Sequence, residues 1–175
     1  MLKIDTRTDE ISFLGGPHLL RSGRQRILQD GKYKYLGGAI ASNGHLYLFP
    51  CDSERVLSIN THTDEVKLVG PVLLEGMNKY QNGFCARDGA VYAIPQHARG
   101  VMRIAPNRDD PEHGEPVVDI LYCGEKIVAT KDKFEGGVLG PMDGCIYCIP
   151  LRAKRVVKVI PGPANNGTVR FTPDA

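Results

Sequence analysis

The 175-residue sequence contains no tryptophan, and none of its apolar runs approaches the 18 or more residues that a membrane-spanning helix needs. The opening MLKIDTRTDE lacks the apolar core of a secretory signal, so we expect neither a transmembrane segment nor a targeting signal. No window keeps a helical period of apolar residues for more than about two turns. Together with 20 glycines and 12 prolines, this pattern predicts an all-β protein.

The charge balance, the cysteines and the histidines indicate which partners, compartment and ligands to expect. The formal net charge is only +2, which argues against nucleic acid or an acidic membrane as the partner. Five cysteines are an odd number at no disulfide-like spacing, so we expect them to be reduced in an intracellular compartment, the cytoplasm by default. The five histidines form no ligand spacing with cysteine or aspartate, so neither a metal nor a cofactor is expected.

One stretch of the sequence occurs three times. Residues 34–50 read KYLGGAIASNGHLYLFP, residues 79–95 read KYQNGFCARDGAVYAIP, and residues 133–150 read KFEGGVLGPMDGCIYCIP. Each copy contains Asn-Gly or Asp-Gly between two strand-like segments, which is a strong signal for a tight hairpin. Self-similarity at this period indicates a repeat architecture.

Each copy is followed by two more strand-like segments, so the repeat contains four short strands. In the first copy we predict strands at 36–42, 45–49, 55–59 and 65–69. The second copy gives 83–87, 90–94, 101–105 and 116–121, and the third gives 136–140, 145–149, 156–160 and 168–172. The N-terminal IDTRTDEI, residues 4–11, matches INTHTDEV, residues 59–66, and so belongs to the second half of a unit.

A repeated four-stranded antiparallel unit of about 45 to 55 residues is typical of a β-propeller blade. With its lysine and aromatic residue, Gly-Gly pair, hairpin turn and Tyr-x-x-Pro, the chain resembles the kelch-like β-propeller repeat proteins over nearly its whole length. It departs from them in lacking tryptophan and in reading Asn82-Gly83 at one Gly-Gly position. The resemblance implies one domain, divided into the C-terminal half of an incomplete blade (1–15), a basic inter-blade loop (16–33) and blades at 34–70, 79–121 and 133–172.

These units amount to about three and a half blades, whereas propellers close with about four to eight. We therefore expect a partial or open propeller: a fragment of a longer propeller, an open arc completed in a homo-oligomer or with another chain, or a piece held in a larger complex. A four-bladed ring with one short blade is the minority alternative.

Several repeated residues are predicted to build the blades. Glycines would let the inner strands approach closely at the central channel, and the tyrosines would pack between blades. These structural residues are Gly37, Gly38, Gly83, Gly136, Gly137, Tyr47, Tyr92, Tyr147, Pro50, Pro95 and Pro150.

Catalytic chemistry has little support in the sequence. Cys145 and Cys148 have the spacing of a redox or zinc pair, but both lie within a predicted strand, where residues three apart point to opposite faces. The predicted inner strands offer only Glu135 as a carboxylate, and no Ser-His-Asp order can be placed on one cleft. We assign no catalytic residue and do not expect an enzyme.

The sorting of charge between the two faces of the predicted arc suggests a function. The loops that lead into first strands or join second to third strands, here called the first face, have an excess of lysine and arginine. The remaining turns, the second face, have an excess of aspartate and glutamate. The candidate binding residues on the first face are Lys34, Lys79, Lys133, Arg21, Arg24, Arg26, Arg99, Arg152 and Arg155.

Three functional hypotheses follow. The first is a non-catalytic interaction or scaffold module that binds an acidic protein surface, or an anion, with its basic face. The second is part of a propeller enzyme, lactonase-like or lyase-like, whose catalytic residues lie on other blades. The third is a structural subunit stabilised within a larger complex.

Overall fold

The computed structural model describes residues 1–16, 33–74, 76–124 and 129–162, and the backbone of residues 168–171. They form one two-stranded and three four-stranded antiparallel sheets, with no helix among them. The all-β fold and the partial propeller are therefore confirmed. Within the same ranges there is no helix long and apolar enough to cross a bilayer. Of the predicted basic loop, residues 17–32 lie outside the described chain, and Arg21, Arg24 and Arg26 lie among them.

Each sheet is built from strands in chain order. The half-blade contains β1 (Leu2–Asp5) and β2 (Glu10–Phe13). Blade 1 contains β3 (Tyr35–Ile40), β4 (His45–Pro50), β5 (Val56–Asn60) and β6 (Val66–Val69). Blade 2 contains β7 (Tyr80–Cys85), β8 (Val91–Pro95), β9 (Gly100–Ala105) and β10 (Val117–Tyr122). Blade 3 contains β11 (Phe134–Leu139), β12 (Ile146–Pro150), β13 (Val157–Ile160) and β14 (Thr168–Phe171).

A bulge interrupts the first strand of every blade. In blade 1 the pairing passes from Tyr35 opposite Pro50 to Gly38 opposite Leu48, with a register shift between them. The same shift occurs in blades 2 and 3. Each first strand consequently begins before the predicted start, because pairing resumes on the N-terminal side of the bulge.

The bulge also explains the departure at Asn82-Gly83. The first residue of each pair has a positive φ: +79° at Gly37, +59° at Asn82 and +123° at Gly136. Asparagine is the residue other than glycine that most readily adopts the left-handed region. A Cβ on Gly37 would lie 2.9 Å from the backbone of Asn82, so the first strands of blades 1 and 2 are in close contact. A side chain at Gly37 would therefore collide with the backbone of blade 2.

Two apolar cores hold the blades together. One fills the space between blades 1 and 2 and includes Tyr47 and Phe49. The other fills the space between blades 2 and 3 and includes Tyr92 and Ile94. Tyr47 and Tyr92 are buried as predicted, whereas Tyr147 is half-exposed on the outer side of blade 3. Pro50 and Pro95 are likewise buried and Pro150 is exposed.

Candidate functional site

The repeated lysine organises the loops of the first face through its backbone. The carbonyl oxygen of Lys79 accepts hydrogen bonds from the N–H groups of Gln96 (2.9 Å) and Ala98 (3.2 Å), which follow the repeated proline. Lys34 and Lys133 form the same pair of bonds with their own blades. The repeated lysine therefore shapes the loop between the second and third strands of its blade.

The side chains of these lysines do not converge on a surface site. Lys79 and Lys133 are 1% and 0% exposed, and their Nζ atoms donate to the carbonyl oxygens of Gly76 (2.9 Å) and His97 (3.0 Å). Lys34 is half-buried. The expected exposure is thus wrong for Lys79 and Lys133, because each ammonium group is buried against backbone carbonyl oxygens, of the segment before β7 for Lys79 and of the β8–β9 loop for Lys133.

A histidine connects blades 2 and 3 on the same face. Nε2 of His97 lies 2.9 Å from Oδ1 of Asp132, and its Nδ1 lies 3.1 Å from the carbonyl oxygen of Met77. Nε of Arg152 lies 3.7 Å from the other oxygen of Asp132. The hydrogen bond from His97 is the main reason why the pKa of Asp132 is lowered, and nearby cationic side chains add to it. Sequence reasoning missed this link, because the two residues occupy different loops.

Around this link the first face presents exposed cationic side chains. Arg99, Lys131, Arg152 and Lys154 are exposed, and Arg155 is half-buried; we call these five residues the basic patch. They lie on the β8–β9 and β12–β13 loops and on the segment before β11. Of the predicted binding residues, the structure therefore brings Arg99, Arg152 and Arg155 to one surface and leaves Lys79 and Lys133 beneath it.

The second face contains a hydrogen-bonded network in each blade that the sequence reasoning did not predict. In blade 2, Oδ2 of Asp88 accepts from the Tyr92 hydroxyl (2.8 Å) and from Nη2 of Arg103 (3.0 Å). In blade 3, Oδ2 of Asp143 accepts from the Tyr147 hydroxyl (2.6 Å) and from Nζ of Lys158 (2.9 Å). The corresponding residues of blade 1 are Asn43, Tyr47 and Ser58. The set of blade 1 has no cation, and we call the sets of blades 2 and 3 turn–tyrosine–cation networks.

These networks leave little capacity for proton transfer. Burial, assisted by the hydrogen bond to Asp88, raises the pKa of Tyr92 to about 12. Hydrogen bonds from Tyr147 and Lys158 hold the pKa of Asp143 well below its usual range. Tyr92 stays protonated at neutral pH, and the carboxylates of Asp88 and Asp143 already accept hydrogen bonds, so the networks stabilise the hairpins rather than provide a general base.

A cleft of about 680 Å³ opens on the second face between blades 1 and 2. Its lining includes Asn43, Asp88 and Arg103 together with the β9–β10 loop. Nδ2 of Asn43 donates to the carbonyl oxygen of Pro111 (2.8 Å), which holds that loop against blade 1. The volume of this cleft lies within the range of protein pockets that bind small molecules. The sequence signal for this cleft is the enlarged turn PNRDDPEHGEP.

The cysteines have the environment of structural residues. All five are unpaired, and Cys145 and Cys148 are both buried. Burial strongly raises the pKa of the Cys148 thiol, which disfavours the thiolate that redox or zinc chemistry needs. Within the described ranges no three His, Cys, Asp or Glu side chains are grouped so as to hold a metal ion.

The fold is a partial β-propeller, and the similarity to solved structures supports the same fold class. No family model and no curated protein matches the chain. Among solved structures, virginiamycin B lyase from Staphylococcus aureus is similar with a TM-score of 0.54 and 15% identity, over 81% of this chain and 42% of that one. An auxiliary nutrient binding protein from Bacteroides ovatus has a TM-score of 0.51 and 14% identity, over 77% of this chain and 35% of that one.

The extracellular domain of a hybrid two component system from B. thetaiotaomicron is also similar, with a TM-score of 0.56 and 10% identity, over 99% of this chain and 22% of that one. The chain thus spans less than half the length of each of these structures. At such identities the likeness shows the fold alone.

Proposed function

We propose that this chain is a non-catalytic interaction module of the β-propeller type whose basic patch binds an acidic protein surface. The observation that carries the proposal is the exposure of Arg99, Lys131, Arg152 and Lys154 on consecutive loops of one face. Like charges on neighbouring loops create a local positive potential that attracts an acidic partner.

The carboxylate nearest to the patch supports this proposal. Asp132 is held by His97 at 2.9 Å and lies 3.7 Å from Arg152, so its charge is already compensated. The side chain of Arg152 remains 70% exposed. Its guanidinium group therefore has most of its donors available for a carboxylate of the partner.

Binding to poly-L-glutamate tests the proposal with a defined acidic probe. The double variant Arg152→Glu and Lys154→Glu should bind about tenfold more weakly, with a shallower salt dependence, because exposed charges act through screened attraction. The matched control is Arg7→Glu with Lys67→Glu, which reverses two exposed cations away from the patch. Fluorescence anisotropy at several salt concentrations measures both. An equal loss of affinity for poly-L-glutamate in the two double variants would contradict a binding site localised at the basic patch.

The alternative of a propeller enzyme is supported by the lyase fold of similar solved structures. In that case the catalytic groups would come from blades outside this chain, because Glu135 is the only carboxylate on the inner strands β3, β7 and β11. One of the similar structures is a catalytically inactive lyase with quinupristin. We expect this chain to leave quinupristin unchanged, as followed by mass spectrometry. Conversion of quinupristin by this chain would instead favour the alternative of a propeller enzyme.

A further inference from the structure

The loop between β9 and β10 is longer than its counterpart in blade 1 and forms one wall of the cleft on the second face. It spans residues 106–116, whereas the turn between β5 and β6 spans residues 61–65. The residues of this loop that line the cleft are Pro106, Asn107, Arg108, Asp109 and Pro111. Insertions in single units of a repeat protein lie on one face, which is often the binding face. The cleft therefore arises from an insertion and not from the repeat itself.

Hydrogen bonds to blade 1 hold this loop in place. Nδ2 of Asn43 donates to the carbonyl oxygen of Pro111 at 2.8 Å. At the other end of the loop, the N–H group of Gly70, which follows β6, donates to Oε1 of Glu115 at 2.9 Å. A loop that is already fixed at two points loses little conformational freedom when a ligand binds. The side chains that it directs into the cleft are therefore preorganised.

The floor of the cleft contains an ion pair whose charges compensate each other. Nη2 of Arg103 lies 3.0 Å from Oδ2 of Asp88, and the two side chains are only 2% and 9% exposed. The same carboxylate oxygen accepts a hydrogen bond from the Tyr92 hydroxyl at 2.8 Å. Because these groups are already paired, breaking their contacts for a ligand would be costly. The charged groups of a ligand must therefore be matched by other residues of the cleft.

Two neighbouring residues of opposite charge provide that match. Arg108 and Asp109 both line the cleft and are exposed. Within the described part of the chain, neither side chain forms an ion pair or a hydrogen bond. The backbone between them is fixed nevertheless, because the N–H group of Asp109 donates to Oδ1 of Asn107 at 2.9 Å. The cleft thus offers one guanidinium group and one carboxylate that are free to bind a ligand.

We propose that this cleft binds a small zwitterionic molecule, an amino acid or a short peptide, whose carboxylate pairs with Arg108 and whose ammonium group pairs with Asp109. A guanidinium group can bind a carboxylate through two parallel hydrogen bonds. The charged side chains that line the cleft, Arg103, Arg108, Asp88 and Asp109, are balanced in sign, so a ligand without net charge fits best.

The size of the cleft and its apolar lining agree with such a ligand. The volume of about 680 Å³ accommodates a molecule larger than a single amino acid. The apolar side chains of Ala105, Pro106 and Val117 also line the cleft and can contact the side chains of the ligand. The site lies on the face opposite the basic patch and does not depend on the proposed function.

Saturation-transfer NMR of the full chain with pools of the natural amino acids and of dipeptides, at millimolar concentration, tests for such a ligand. At least one compound should receive saturation and raise the unfolding temperature of the chain. Its carboxyl amide and its N-acetyl form should each bind about fivefold more weakly, because each has lost one charged group. Absence of a signal from every pool, or equal binding of the free and the blocked forms, would overturn the proposal.

Two substitutions then show whether each end of the ligand meets the assigned residue. Arg108→Gln should bind the ligand and its amide equally weakly, and Asp109→Asn should no longer distinguish the ligand from its N-acetyl form. Both side chains are exposed, so the unfolding temperatures without ligand should stay the same. The matched control is Arg7→Gln, an exposed cation of the second face that does not line the cleft. Isothermal titration calorimetry measures the affinities. If Arg108→Gln still preferred the free carboxylate, the assigned pairing would be wrong.

Discussion

Two isoleucines at the same repeat position provide a direct measure of how blades stabilise each other. Ile94 and Ile149 both precede the repeated proline of a second strand, but Ile94 is 0% exposed and Ile149 is 50% exposed. Blade 3 covers Ile94, whereas the next blade that would cover Ile149 is absent from the described residues. The substitutions Ile94→Ala and Ile149→Ala therefore remove the same atoms from two different environments.

The expected magnitudes follow from the burial of each side chain. Ile94→Ala should cost about 3 kcal/mol of unfolding free energy, within the range of about 2 to 5 kcal/mol for buried isoleucine. Gly137, whose Cβ position lies 2.6 Å from Cδ1 of Ile94, has no side chain that could fill the cavity. Ile149→Ala leaves no cavity and should cost about 1 kcal/mol or less.

Urea unfolding followed by far-ultraviolet circular dichroism measures both values under identical conditions. The urea dependence of the unfolding free energy should be the same in both variants, so that the midpoints can be compared directly. Equal losses of about 3 kcal/mol would mean that the outer face of blade 3 is covered in solution. Equal losses below about 1 kcal/mol would mean that blade 3 does not pack on blade 2 as described.

Three other substitutions test particular contacts. Gly37→Ala should lower the free energy of unfolding by about 1 kcal/mol or more in thermal unfolding, because Gly37 has a positive φ and its Cβ position lies against the Asn82 backbone. Asn82→Gly should change the free energy of unfolding little, because glycine also adopts a positive φ. Asp143→Asn should destabilise the chain at neutral pH, because the hydrogen bonds to Asp143 favour its charged form in the folded state. Since the folded state holds the pKa of Asp143 below its usual value, the difference in urea midpoint between the variant and the unchanged chain should shrink as the pH falls below about 4. A thiol reagent should modify Cys148 only after unfolding, as peptide mapping of native and unfolded protein would show.

The fold was predictable because the chain repeats its local signals. Asn43-Gly44, Asp88-Gly89 and Asp143-Gly144 each fix a hairpin, and every predicted strand has an observed counterpart. The starts of β3, β7 and β11 were not predicted, because a bulge depends on pairing with the second strand and not on local composition.

The site was less predictable than the fold. Lysine is among the residues least often buried, so sequence reasoning placed Lys79 and Lys133 on the surface. Their burial depends on where the carbonyl oxygens of Gly76 and His97 lie, which only the packing of neighbouring blades determines. Aligning the copies does show one signal for the networks of the second face. Asp88 accompanies Arg103 and Asp143 accompanies Lys158, whereas Asn43 accompanies Ser58.

That covariation has a physical cause, which also bears on Lys3. A carboxylate removed from water is costly unless a cation and hydrogen-bond donors compensate it, so Asp88, whose side chain is 9% exposed, requires the cation of Arg103 on the third strand. The neutral pair of Asn43 and Ser58 avoids this requirement in blade 1. Lys3 occupies the cation position of the half-blade and already binds a carboxylate from the neighbouring blade. By the same argument, the ammonium group of Lys3 and the carboxylate of Asp64 compensate each other between the half-blade and blade 1.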